Sequence, residues 1–295
     1  MIIIQILGGL GNQMFSYACG RAVADRLKTD LVLDLSSYAR YYRKYSLNRF
    51  NIIDTQKNDM KKTIKIIKYG DIFLQRYFDS HFTYQLNGIK PIFENGSAYN
   101  KSIEEVEDNS YLQGYWGSEK YFSNIKEEIR KEFTLREKIS DNSAMWCERI
   151  KRENCSVSMH IRRGDYINVA ANKNIFESLQ SEYYQKAINL IKEKYDISAI
   201  FVFSNDILWC REHLKFDIPV YYVDGNDEDH GHEDLYLMSQ CTHNIIANST
   251  FSWWGAWLNN NENKIVIYPK RFYKLNDKWH DSKDLCPKEW ISIDN

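Results

Sequence analysis

Cys155-Ser156-Val157-Ser158-Met159-His160-Ile161-Arg162-Arg163-Gly164-Asp165-Tyr166 begins as a short, largely apolar run and ends in a His, two Arg, a Gly and an Asp. A run of that length reads as a buried strand, and the polar residues follow directly at its carboxyl end, where open α/β sheets hold their ligands. Two adjacent guanidiniums there suit a phosphate. Arg stays charged at physiological pH, and its forked donors match phosphate oxygens at about 1.5–3 kcal/mol per charge-assisted bond. An Arg–Asp ion pair holding a turn accounts for the same residues. The stretch therefore points to an α/β fold and leaves the ligand open.

Working outward, the second half alternates strands and helices. A polar loop (Asn168 to Asn174) precedes a helix bearing Tyr184, Ala187, Ile188 and Ile191, and the strand Ala199 to Phe203 follows. Next come a helix through Trp209 and Leu214, a strand at Val220–Tyr222, a helix at Leu235–Cys241, a strand at Asn244–Ala247, a Trp-rich helix and a strand at Lys264–Tyr268. The first half opens the same way: a strand at Ile2–Leu7, a glycine loop, a helix carrying Met14, Phe15, Ala18, Ala22 and Leu27, then a strand at Leu31–Leu35. That is a βαβ unit with parallel strands. The pattern blurs between Tyr38 and Asn109. Beyond it, Tyr111 to Trp116 ends a strand, and Ser118 caps a helix with Tyr121, Phe122, Ile125, Ile129 and Phe133 on one stripe. The expectation is an α/β protein of two Rossmann-like domains facing a cleft, residues 1–150 and 151–295, the second built on a parallel sheet.

Composition narrows the function. The 295 residues carry 39 Lys+Arg against 40 Asp+Glu, a net charge of −1, which supplies no basic field for nucleic acid. The run Lys57, Lys61, Lys62, Lys65 and Lys68 alternates with isoleucines and reads as a solvated helix face. Six cysteines without a C-x-x-C pair suit reduced, buried thiols. No apolar stretch reaches the 18 or so residues of a membrane span, and Met1 to Leu7 lacks the basic flank of a signal peptide. A cytoplasmic protein is expected, with no transmembrane segment and at most peripheral membrane association.

Three polar clusters end predicted strands. Gly8-Gly9-Leu10-Gly11-Asn12-Gln13 is a glycine turn into a helix, either a structural turn or a contact for phosphate or acceptor. It is neither G-x-G-x-x-G nor a P-loop. Asp206, in Ser204-Asn205-Asp206, caps the next helix, accepts from the N–H groups of a base, or chelates metal. Asn248-Ser249-Thr250-Phe251-Ser252 places small hydroxyls at a helix start after a strand, a cradle for phosphate, while Trp253, Trp254 and Trp257 pack the core. The acidic stretch Asp224 to Asp234 lacks EF-hand spacing, and His230 with His232 makes a poor zinc pair, so a solvated loop and no metal are expected.

Gly8 to Phe15, His160 to Tyr166 and Asn248 to Gly255 occur in order and together closely resemble the α-1,2-fucosyltransferases, the bacterial ones above all. The resemblance covers nearly the whole chain. It implies a GT-B fold, GDP-β-L-fucose as donor, inversion to an α-L-fucoside, a terminal galactose as acceptor (on an oligosaccharide or lipid-linked glycan), and neither metal nor other cofactor. It implies catalytic roles at Arg162, His160 and Asp165, with Arg162 at the β-phosphate and Arg163 beside it. Asp206 resembles the acid that reads guanine; Asn248, Ser249, Thr250 and Ser252 resemble phosphate contacts; Gly9, Gly11 and Asn12 resemble the donor-facing turn. The chain lacks the anchor and stem of animal homologues, which suits a bacterial enzyme.

A general base for the acceptor hydroxyl is not assigned by sequence: Asp165, His160, Glu94 and Asp34 stand level. A fucosyltransferase of another linkage and a non-catalytic glycan-binding protein, the latter suggested by 21 Tyr and 8 Trp, are the competing readings.

Overall fold

The computed structural model describes residues 1–39, 43–53 and 88–295. The lysine run from Lys57 to Lys68 lies outside the described residues. The chain divides into two compact units, Met1–Thr134 and Leu135–Asn295.

In the first unit, β1 (Ile2–Gln5), β2 (Leu31–Asp34), β3 (Lys90–Phe93) and β4 (Ser110–Gln113) form a parallel sheet in the order β2-β1-β4-β3, with α1 (Leu10–Leu27) between β1 and β2 in the chain. Its β1 is buried throughout, Ile2 to Ile4 and Gln5 alike, because both faces are covered, as in parallel sheets generally. Ile3, Val32, Ile89 and Tyr111 share a core on one face. On the other, α1 lies close to β1 through Gly20, where an added Cβ would stand 2.8 Å from that of Ile4. β3 emerges from the stretch whose periodicity is blurred in the sequence. The expected helix after Ser118 is instead a 3-10 segment, Glu119–Ile125, kinked at Phe122, followed by α2 (Lys126–Glu132).

The second unit runs α3 (Asp141–Lys151), β5 (Ser156–Ile161), α4 (Gly164–Asn168), α5 (Ala170–Ile175), α6 (Ser181–Lys192), β6 (Ala199–Ser204), α7 (Ile207–His213), β7 (Val220–Tyr222), α8 (Gly231–Gln240), β8 (His243–Ile245), α9 (Thr250–Leu258), β9 (Val266–Pro269) and β10 (Ile291–Ile293). The six strands are parallel in the order β10-β9-β8-β5-β6-β7. Counted from β5, that is the doubly wound order 3-2-1-4-5-6, with its reversal between β5 and β8. Alternation along β6 splits the core in two. Ile200 and Val202 join Tyr184, Ile188 and Ile191 of α6, while Ala199, Phe201 and Phe203 join Cys147 and Ile150 of α3 and Leu237 and Met238 of α8. Trp253, Trp254 and Trp257 are buried, as their apolar setting predicts. The expected polar loop at 168–174 is largely helical (α4 and α5), and Glu233, which with Asp234 the sequence places at the N-terminus of the next helix, lies in the first turn of α8, buried, where both of its oxygens accept from Ser140. None of the six cysteines forms a disulfide, and no described helix is long and apolar enough to cross a membrane.

Candidate active site

In a doubly wound sheet the crevice for a ligand opens at the carboxyl ends of the strands flanking the reversal. Here those ends are Arg162–Gly164 after β5 and Ala247–Thr250 after β8. Tyr166 ties them together: its hydroxyl donates to the carbonyl of Asn248 at 2.9 Å, and its ring stacks on Phe176 at 4.4 Å.

The two arginines are held differently. Arg163 Nη1 donates to Ser178 at 3.0 Å, its Nε lies 3.6 Å from Asp206 Oδ2, and its guanidinium covers the Trp209 ring at 3.9 Å. Arg162 lies over the Tyr166 ring at 5.8 Å and donates through Nη2 to Asp165 Oδ2 at 2.8 Å, which uses one of five guanidinium N–H donors. Arg163 is built into the wall, and Arg162 is aimed by a carboxylate.

His160 is buried in β5, 5.6 Å from the Phe251 ring. Burial, helped by the neighbouring Arg162 charge, pushes its pKa down from 6.5 to about 3, so the ring is neutral at pH 7. Its Nδ1, like Asn248 Oδ1, is buried without a hydrogen-bond partner among the described residues. The Asn248 amide nitrogen donates to the carbonyls of Glu177 (2.9 Å) and Phe272 (3.0 Å). Asp206 does cap α7, accepting from the Trp209 N–H at 3.2 Å, while its other oxygen faces Arg163. Ser249 caps α9 by accepting from the Phe251 N–H at 3.3 Å, Ser252 donates back to the Ser249 carbonyl, and Thr250 is half-buried in the first turn. The hydroxyl cluster thus shapes a helix N-terminus as well as lining it.

Asn205, beside Asp206, has a role that its sequence context does not announce. Its Oδ1 accepts from the backbone N–H groups of both Arg163 (3.0 Å) and Gly164 (3.2 Å), and a Cβ at Gly164 would stand 2.8 Å from its Nδ2. The dipeptide Asn-Asp after a strand was its only trace in the sequence.

Gly9, Gly11 and Asn12 sit in the first unit, at the carboxyl end of β1, an inner strand of that sheet. Gly8 adopts φ +83°, and a Cβ there would stand 2.8 Å from Asn12 Nδ2, so glycine is needed for conformation and for space alike. Gln13 is spent on the turn, donating to the carbonyls of Gly8 and Lys44 and accepting from the Ser46 N–H. Asp34 is buried and takes the Tyr111 hydroxyl at 2.8 Å and the Ser36 N–H at 2.9 Å. Among the described residues no group of three or more His, Cys, Asp or Glu is placed to hold a metal ion.

The sequence model of glycosyl transferase family 11 matches residues 1–294. The chain belongs to this family. This family 11 protein is 32% identical over 312 residues to an Escherichia coli "Alpha-1,2-colitosyltransferase", covering 100% of this chain and 99% of that one. It is 34% identical over 303 residues to the Escherichia coli "O-antigen biosynthesis glycosyltransferase WbnK", covering 97% and 98%. It is also 30% identical over 154 residues to the "Galactoside alpha-(1,2)-fucosyltransferase 1" of Saimiri boliviensis boliviensis, covering 50% and 42%. Among solved structures it resembles a mutant of Arabidopsis thaliana FUT1 in complex with GDP (TM-score 0.52, 12% identity, covering 98% and 75%) and POFUT1 in complex with GDP-fucose (TM-score 0.50, 13% identity, covering 90% and 97%). At such identities the likeness speaks for the fold, and the fold of this family 11 protein is GT-B.

Proposed function

We propose that the chain transfers L-fucose from GDP-β-L-fucose to the 2-hydroxyl of a terminal galactose with inversion, giving an α-1,2-fucosylated glycan. Arg162 carries this reading: a guanidinium at the sheet reversal, aimed by one carboxylate, in a family 11 chain. As the glycosidic bond to GDP breaks, charge builds on the departing diphosphate. A preorganised cation there stabilises the transition state more than the ground state.

The remaining residues take supporting roles. Asp165 aims Arg162. Arg163 holds the wall, and neutral His160 offers Nδ1. The first turn of α9 with Ser249, Thr250 and Ser252 supplies N–H and hydroxyl donors to a phosphate, and Asn248 Oδ1 gains the partner it lacks. Asp206 is assigned to guanine through lone pairs its cap and ion pair leave over, and Gly9, Gly11 and Asn12 are assigned to substrate contact. No metal is assigned, because guanidinium and helix end carry the diphosphate charge. Prior treatment with EDTA is then expected to leave the rate unchanged, and a loss restored by Mg²⁺ or Mn²⁺ would overturn that assignment. The acceptor is a galactose-terminated oligosaccharide or lipid-linked glycan met in the cytoplasm, with any membrane contact peripheral.

The test is incubation with GDP-fucose and lactose, with the product linkage read by NMR. An α-1,2 linkage supports the proposal; another linkage, or no product and no GDP release, removes it. One observation favours a second donor: the relative named for colitosyl transfer matches the whole chain. GDP-colitose run beside GDP-fucose decides between the two by the larger kcat/KM.

A further inference from the structure

Four groups compete for the role of base toward the acceptor hydroxyl, and the structure separates them. Asp34 is buried at 1% exposure, His160 is buried at the other sheet, and Asp165 is paired with Arg162. Glu94 is different. It follows β3 at the carboxyl edge of the first sheet, half-buried, and its carboxylate is held in a socket made at the end of β4.

That socket is built from three successive residues. Gly114 is needed because a Cβ there would stand 2.4 Å from Glu94 Cβ and 2.8 Å from Oε2. Tyr115 donates its N–H to Oε2 at 2.7 Å, and Trp116, at φ +54°, donates to Oε1 at 2.9 Å. A non-glycine residue in that region of backbone is uncommon and costs energy that its surroundings must outweigh. The Ser16 hydroxyl of α1 donates to the Gly114 carbonyl at 3.2 Å, which joins the socket to the helix that follows the Gly8 turn. Each carboxylate oxygen keeps a lone pair after its backbone bond. Tyr115, at the lip, is 45% exposed, an aromatic of the kind that receives the apolar face of a sugar ring.

We propose that Glu94 is the general base that deprotonates the acceptor hydroxyl, an inference that rests on the transferase reading above. The acceptor oxygen forms its bond to the anomeric carbon as the bond from that carbon to the GDP oxygen breaks. GDP leaves with the bonding electron pair, and Glu94 takes the hydroxyl proton and returns it to water. The electrostatics fit. Burial pushes the carboxyl up from 4.5 to about 6, and the two N–H bonds pull it back only in part. The titratable groups coupled to it, Cys19 on α1 and Tyr121 of the 3-10 segment, are themselves raised by burial and neutral at pH 7.

The experiment compares Glu94→Gln and Glu94→Asp with the parent, after GDP-dependent thermal stabilisation confirms that each variant folds and holds nucleotide. The parent's kcat/KM is expected to fall with one proton below pH about 6, and Glu94→Gln to lose about a hundredfold in kcat with that acid limb gone. Glu94→Asp is expected to keep the limb at reduced rate, with the donor KM little changed in both. A Glu94→Gln variant within threefold of the parent with an unchanged pH profile overturns Glu94 as base while leaving the transferase intact. A parent that transfers nothing overturns the transferase reading, and the base with it.

Discussion

The carboxyl edges of the two sheets solve one geometric problem and carry opposite charge. Each has a glycine turn leading from its first strand into a helix, and each packs an asparagine amide where the glycine's side chain would be: Asn12 against Gly8, Asn205 against Gly164, both with 2.8 Å to an added Cβ. On the second sheet the turn presents a guanidinium restrained by a carboxylate. On the first, the neighbouring strand ends present a carboxylate restrained by backbone N–H groups. One edge is suited to an anion that leaves and the other to a proton that must be taken. The shared architecture does not decide the chemistry; the residue that the turn aims does.

Exchange of the aimed residue should break that contrast most. Arg162→Ala is expected to lower transfer by about a hundredfold or more, the roughly 2.7–4 kcal/mol typical of one preorganised charge-stabilising donor. Its thermal unfolding should stay near the parent's, since the lost contact is one ion pair to Asp165. Arg163→Ala removes contacts to Ser178, Asp206 and Trp209 together and should lower stability and rate alike. If thermal scans and initial rates gave the two variants the same profile, the distinction between aimed and built-in arginine would be lost. Gly114→Ala is next, because its Cβ would meet Glu94 at 2.4 Å. Overpacking of that kind costs about 1–3 kcal/mol, and the displaced carboxylate should take activity with it. Asn205→Ala frees two backbone N–H groups at the Arg163–Gly164 turn. A loss of about 2 kcal/mol in denaturant unfolding is expected, and an unchanged midpoint would mean water replaces the amide without cost.

Strands such as β1 and β6 were legible because both faces are buried, which leaves largely apolar runs in the sequence, while β5 alternates Val157, Met159 and Ile161 with small or polar residues. The proposed anion site was legible because His160, Arg162 and Arg163 fall within four residues, so one strand end draws attention to itself. β3 was not, since Lys90-Pro91-Ile92-Phe93 is short and half-buried and lacks clear alternation. Glu94 was visible only as one candidate base among four, because what singles it out is supplied by Gly114, Tyr115 and Trp116, some twenty residues away along the chain. Asn205 was hidden for the same reason, its partners being backbone groups that any sequence would offer.

Asp234, in the first turn of α8, gives the smallest expected effect and a control on the contrast. Burial, with a lesser contribution from Glu233, pushes its carboxyl from 3.8 to about 6, although Asn226 Nδ2 donates to it at 2.7 Å. An acid whose pKa is raised on folding binds its proton more tightly in the native state. Its contribution to stability is therefore full below pH about 3.8 and lost as pH rises through about 6. Asp234→Asn keeps an oxygen for Asn226 and removes the half-buried charge. Loss of an acidic group from the first turn of a helix offsets about 0.3–1 kcal/mol of the gain. The net expectation at pH 7 is a variant about 1 kcal/mol more stable than the parent, with the difference gone at pH 4. Urea titrations at both pH values check it, and a variant less stable at pH 7 would mean that the helix end and Asn226 outweigh desolvation. By the same arithmetic Glu94 lowers stability at neutral pH. A second half-buried acid with a raised pKa, Asp234, in a unit that already has Arg162, tests whether such acids mark sites by themselves. If Asp234→Asn leaves transfer unchanged while Glu94→Gln removes it, the socket makes the difference, and the raised pKa alone does not.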